Sequence, residues 1–188
     1  MHVRNLSFTL RGQLNLAIAV ALVVVGTLPV TAQEPQADLE RSSTPAADVV
    51  KGVAFDPTTY APAALLFESM RLDWRSSQPL FQHGFVEGNP HYTLTGLPHD
   101  APVSYAVGNR RTLTDSLAIL PTSLLHNATN RTIERLLIGR FPNHRKLLRT
   151  IGWIERSAFA SYLSYQLSVR HFEQWRTNER LSRDLGYE

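Results

Sequence analysis

Between Asn143 and Leu185, the residues Leu147, Ile151, Ile154, Ala158, Tyr162, Tyr165, Val169, Phe172 and Trp175 recur at spacings of three and four. This is one unbroken apolar stripe at helical period. Aromatic rings supply much of it, so it is a large surface that another part of the chain, or a partner, has to cover; burial in a helical core is the expectation. Run as one helix, the stretch would be about 60 Å long, more than the width of a domain of this size. A break is therefore expected at Ser168, a residue able to cap, with Gly152 as the alternative. Helices over 143–167 and 169–185 follow, the first capped by Asn143 and the second stopped by Gly186.

The preceding chain carries the same period. Ala63, Leu66, Phe67, Met70 and Trp74 fall on one face of a helix predicted over 60–77, with Thr59 as cap, Pro62 in the first turn and an end before Pro79. Ala106, Leu113, Leu117 and Leu120 predict a helix over 103–120, weakened by Gly108 and interrupted by Pro121. Leu125, Ala128, Thr132 and Leu136 predict another over 122–140. The short break Phe141-Pro142-Asn143 favours an antiparallel hairpin with the C-terminal stretch. The expectation is an all-α single domain of about five helices, spanning residues 49–188.

Two segments depart from helical period. Residues 80–102 collect Gly84, Gly88, Pro90, Gly96, Pro98 and Pro102, with Tyr92-Thr93-Leu94-Thr95 as the one strand-like alternation. An irregular stretch of this length inside a domain folds over something or serves a purpose, so function is sought there first. Residues 33–48 are polar and aperiodic, and read as a disordered leader.

Residues 1–32 read as a secretory signal. Arg4 and Arg11 stand without an acid, the apolar run Leu14 to Leu28 follows, and cleavage is expected after Ala32. That run is shorter than the ~20 residues that span a bilayer, so an uncleaved N-terminal membrane anchor is the alternative reading. No later run approaches spanning length. The chain has no cysteine, and a core of this size can dispense with disulfides. Bacterial export to the periplasm or beyond is the expected localisation. The sequons Asn127-Ala128-Thr129 and Asn130-Arg131-Thr132 are read as caps and surface polar residues.

Removing residues 1–32 takes away two arginines and no acid, so 19 basic side chains fall to 17 against 16 acidic ones, and the net charge from +3 to +1. Nucleic acid and anionic lipid are discounted as partners on that balance. Charge is uneven, however: residues 33–130 hold 6 basic and 10 acidic side chains, and 131–188 hold 11 and 6. The halves are expected to dock on each other. An anionic partner for Arg140, Arg145, Lys146 and Arg149, or for Arg176, Arg180 and Arg183, is the functional alternative. Arginine outnumbers lysine 15 to 2 after residue 32, which suits planar recognition of carboxylate or phosphate.

Chemistry is sparsely signalled. His83, Glu87, His91, His99 and Asp100 lie within 18 residues and are the candidates for a metal or acid–base site. Only His83 and Glu87 have one-face helical spacing, and no HExxH, His-x-His or paired cysteine occurs. Glu155, beside the main stripe, needs a polar partner, with Arg156, Tyr162 or a residue of the middle segment as candidates; burial with His144 or His171 would make it a site residue. No G-x-S-x-G and no phosphate-binding glycine loop is present, and no cofactor is implied. The first functional reading is an exported helical interaction or structural protein acting on a protein or envelope component. The alternative is a small metal-dependent or hydrolase-like enzyme built on segment 83–100, and homo-oligomerisation through the stripe is a third option.

Overall fold

The computed structural model describes residues 45–187; the expected signal sequence, and the leader up to residue 44, lie outside them. Helix α1 spans Pro45–Ala54, α2 Pro57–Gln82, α3 Tyr105–Leu117, α4 Leu120–Arg140 and α5 Arg145–Leu185, with short 3-10 turns at Pro90–Tyr92 and Pro142–His144. Among the described residues there is no strand, only the isolated bridges Glu87–Asp100 and Thr93–Pro102. The all-α class is as expected; the expected set of five helices is not.

Three boundaries explain the difference. α1 already covers Pro45 to Asp48, and it packs on α4 through the buried Val53 and the 2.9 Å Arg135–Asp48 ion pair. α2 begins earlier than predicted because Asp56, not Thr59, caps it: the Thr58 amide and hydroxyl donate to Asp56 Oδ1 at 3.1 and 2.7 Å. Thr59 is instead buried, donating its hydroxyl to the Val53 carbonyl at 2.9 Å. α2 also runs through Pro79 to Gln82. The carbonyl that a proline at that position orphans belongs to Arg75, on the exposed side of the helix, where water can serve it.

The largest correction concerns α5, which is one helix of 41 residues with no break at Ser168 or Gly152. It ends as expected at Gly186, whose φ of 71° and the Tyr187 amide bond to Ser182 O close the last turn. α5 is held along its length by α2, with which it runs parallel. Arg156 meets Asp56 near the start of α2, His171 meets Asp73 further along, and Asn178 meets Ser77 near its end.

The face of α5 turned to α2 is also not the expected one. Its buried row is Gly152, Arg156, Ala160, Ser164, Ser168, Asn178 and Ser182. The apolar stripe points away: Leu147, Ile151, Ile154 and Tyr165 are each more than half exposed. The reason is the partner surface. α2 brings the bulky Leu66, Met70 and Trp74 to the centre of the core, and facing positions that pair large with small interdigitate best. α3 and α4 obey the same rule, burying Gly108, Thr112 and Ser116, then Ser123 and Asn127. The large side chains of α2 thus fill the centre of a core whose other walls are mainly small or polar, completed by Tyr92 and Val103 from the irregular segment and by the partly buried Ile119 and Leu167.

Candidate functional site

The irregular segment runs over 83–104. Its ends are tied by reciprocal backbone bonds between Glu87 and Asp100 at 2.9 and 3.3 Å and by the Val103 amide donating to Tyr92 O at 2.8 Å. Tyr92 anchors it, its ring 5.3 Å from that of Trp74 and its hydroxyl donating to Asp115 at 3.3 Å. Burial pushes the Tyr92 phenol up to about 12, so it acts as a neutral anchor.

Under the first half of this segment lies a cleft of about 500 Å³ between α2 and α5. Asp73 and Ser77 reach it from α2, Glu87 and Asn89 from the segment, and His171 and Asn178 from α5, with Trp74, Phe81, Phe85 and Tyr92 as aromatic walls. His171 Nδ1 lies 2.9 Å from Asp73 Oδ2, and Asn178 Nδ2 donates to Asp73 Oδ1 at 3.3 Å and to Ser77 Oγ at 2.9 Å. An Asp that holds Nδ1 fixes the imidazole tautomer and orientation, leaving Nε2 available as a base or ligand. Burial pushes the Glu87 carboxyl above its ordinary range, against a bond from the Asn89 amide, and the negative charge of Asp73 pushes it further up. An oriented histidine and a carboxyl held above its ordinary range in one aromatic cleft are parts of acid–base chemistry.

Of the five residues singled out in the sequence, Glu87 alone lines this cleft. His83 stacks on Tyr187 at 3.7 Å and donates from Nδ1 to Pro79 O at 2.8 Å. His91 Nε2 lies 3.2 Å from Asp115 Oδ2. His99 is exposed with a left-handed φ of 59°. Asp100 accepts from the Thr95 hydroxyl at 2.5 Å, which with the Ala101 amide holds its carboxyl below the usual range. Among the described residues no three His, Asp or Glu come together as a metal set. Asp73 and His171 are separated by 98 positions, and no sequence spacing signals their meeting.

Glu155 is partnered neither by Arg156 or Tyr162 nor by His144 or His171. It accepts from Asn130 Nδ2 and lies 3.1 Å from His126 Nε2, whose ring stacks on Phe159 at 3.6 Å. The sequons are not caps: both lie inside α4, with Thr129 and Thr132 at the surface and Asn127 fully buried, donating to Thr58 and Thr59 hydroxyls at 3.0 and 2.8 Å.

Charge docking between the halves takes place around Asp56. Its Oδ2 accepts from Arg131 Nη2 at 2.7 Å and Arg156 Nε at 2.9 Å, while Arg156 Nη1 also donates to Glu134 at 2.8 Å. Burial raises the Asp56 carboxyl, but the Thr58 and Arg131 bonds together outweigh it, so the group is held below the ordinary carboxylate range. Above this cluster opens a second cleft, lined by Arg145 and Arg149; Arg140 and Lys146 do not reach it.

A third depression, about 840 Å³, runs between α2 and α5, with Leu65, Tyr165, Val169, Phe172 and Trp175 as walls and Ala160, Ser161 and Ser164 in its lining. Among the described residues no helix is long and apolar enough to cross a membrane. No protein-family model, no curated protein and no solved structure matches this chain.

Proposed function

We propose that this chain is an exported helical interaction protein whose partner lays an amphipathic helix, apolar on one side and acidic at its flanks, along the outer face of α5. The observation that carries the reading is the outward-turned apolar stripe. From Leu147 to Tyr165 it extends about 27 Å, and it continues into the groove walled by Leu65, Tyr165 and Trp175. Contiguous exposed apolar surface of this kind marks an interaction site, and a row at spacings of three and four is what a partner helix reads. The acidic character follows from the flanks, where Lys146, Arg176 and Arg180 are exposed. Export rests on the Arg4, Arg11 and Leu14 to Leu28 pattern in the sequence.

The test uses two synthetic amphipathic peptides, one with leucine and glutamate and one with leucine and lysine in the same pattern. The acidic peptide is expected to blue-shift the emission of Trp175 in the groove wall and to form a 1:1 complex by light scattering. Ile154→Lys with Tyr165→Lys is expected to abolish this with an unchanged circular dichroism spectrum. Equal binding of both peptides, or unimpaired binding by the double variant, refutes the reading. A dimeric mass without peptide, lost in the same double variant, would assign the face to a second copy instead.

A second reading is favoured by the Asp73–His171 pair beside Glu87: a small hydrolase-like enzyme working in that cleft. It requires turnover of activated esters that His171→Ala abolishes, and a rate indifferent to that substitution removes it.

A further inference from the structure

We propose that the cleft formed by α1, α4 and the first turns of α5 binds a small molecule through an oxyanion, phosphate or carboxylate, gripped by Arg145 and Arg149. The cleft measures about 530 Å³, room for a ligand of metabolite size. Five guanidinium groups line it, against the carboxylates of Asp48 and Glu134 and that of Asp56 behind them. A surplus of two positive charges remains. Arg131, Arg135 and Arg156 are each engaged by an internal carboxylate. Arg145 and Arg149 form no ion pair with any described residue.

Their position sharpens the point. They stand four apart, on one face of α5, in its first two turns, where no side chain caps the helix and no acid sits in the first turn. Cations at the amino end of a helix oppose its dipole. An oxyanion held between them relieves that opposition and receives two planar forks, the geometry that distinguishes arginine from lysine. Deeper in the cleft, Arg156 is 4% exposed and spends Nε and Nη1 on Asp56, Asn130 and Glu134. Its Nη2 bonds to no described residue, and the buried Nε of Arg131 is likewise without a partner. The wall of the cleft therefore keeps donor capacity that the protein itself does not satisfy.

Calorimetric titration of the purified chain with inorganic phosphate, glycerol 1-phosphate and citrate, in about 0.15 M salt, tests the site. Saturable 1:1 binding is expected for at least one of them. Arg145→Gln and Arg149→Gln should each weaken it about tenfold, the loss of a charged hydrogen bond. Arg140→Gln and Lys146→Gln, which remove the same charge outside the cleft, should leave it within about twofold. All four side chains are exposed, so matching circular dichroism spectra are the check on folding. Equal weakening by all four changes, loss of binding between about 0.05 and 0.15 M salt, or absence of binding to every probe overturns the proposal. Binding to phosphatidylglycerol vesicles with none to the soluble anions also overturns it, in favour of a membrane headgroup.

Discussion

Gly108 offers a test in which two physical effects oppose each other and the structure decides the sign. By helix propensity alone, Gly108→Ala in α3 should stabilise the protein by about 0.8–1.0 kcal/mol. In the folded chain an added Cβ would lie 2.1, 2.3 and 2.4 Å from Cε2, Cζ2 and Nε1 of Trp74, where carbon atoms normally stand about 3.5–4.0 Å apart. The indole cannot swing aside freely. It is 5% exposed, packs on Phe81 and Tyr92 at 5.6 and 5.3 Å between ring centres, and donates from Nε1 to Tyr105 O at 3.2 Å. Relief requires α3 to retreat or the indole to leave its place. Overpacking of this kind costs about 1–3 kcal/mol or more, and a lost indole hydrogen bond adds about 1 kcal/mol. The clash outweighs the propensity gain, and a net loss of about 1–3 kcal/mol is expected, or about 2–12 °C in Tm for a chain of this size. Gly139→Ala in α4 is the control, because a Cβ there meets nothing within 4 Å; it should gain about 0.5 kcal/mol. Urea denaturation of the two variants should therefore give shifts of opposite sign. If Gly108→Ala moves the midpoint upward as Gly139→Ala does, the close approach of α3 to α2 is wrong.

Asp56→Asn keeps a side chain able to cap α2 but strips Arg131 and the buried Arg156 of their shared carboxylate. Breaking such a pair costs about 3–5 kcal/mol, and a loss below about 1 kcal/mol by denaturant titration would show that the cluster is not buried as described. The same group sets a pH dependence. Because its folded-state pKa is depressed, the stability it contributes is present above the ordinary carboxylate range and is lost as pH falls through the folded value. The acid limb of stability should accordingly be shallower in Asp56→Asn than in the parent protein, and identical limbs would argue against that depression.

Much of the helical layout was legible in local chemistry. Pro121 sits in the first turn of α4 and Gly186 stops α5, each acting through the backbone of its own turn, whereas Asn143, expected as the cap of α5, does not cap it. The candidate site was legible only in part. The irregular composition of 80–102 marked the segment that covers a cleft, and Glu87 within it, because glycines and prolines clustered this densely leave no helical period. Asp73 and His171 were not legible as a pair, since their meeting depends on α2 and α5 running parallel in a register that neither helix carries by itself. Arg145 and Arg149 were marked by charge, but their separation from Arg140 and Lys146 follows from which face of α5 opens on α4.

The sequence by itself determined that the stretches of α2 to α5 are helical and that two of them end at Arg140 and Leu185, because period, caps and breakers act over a turn or two. It also determined that α5 has an apolar stripe. Only the tertiary structure decided where that stripe points. α5 carries two rows at nearly the same period, one aromatic and one small, and hydrophobicity alone favours burying the first. α2 already fills the centre of the core with Leu66, Met70 and Trp74, leaving space for the small Ala160, Ser164 and Ser168 against it. The small row went inward, and the aromatic row was left facing outward.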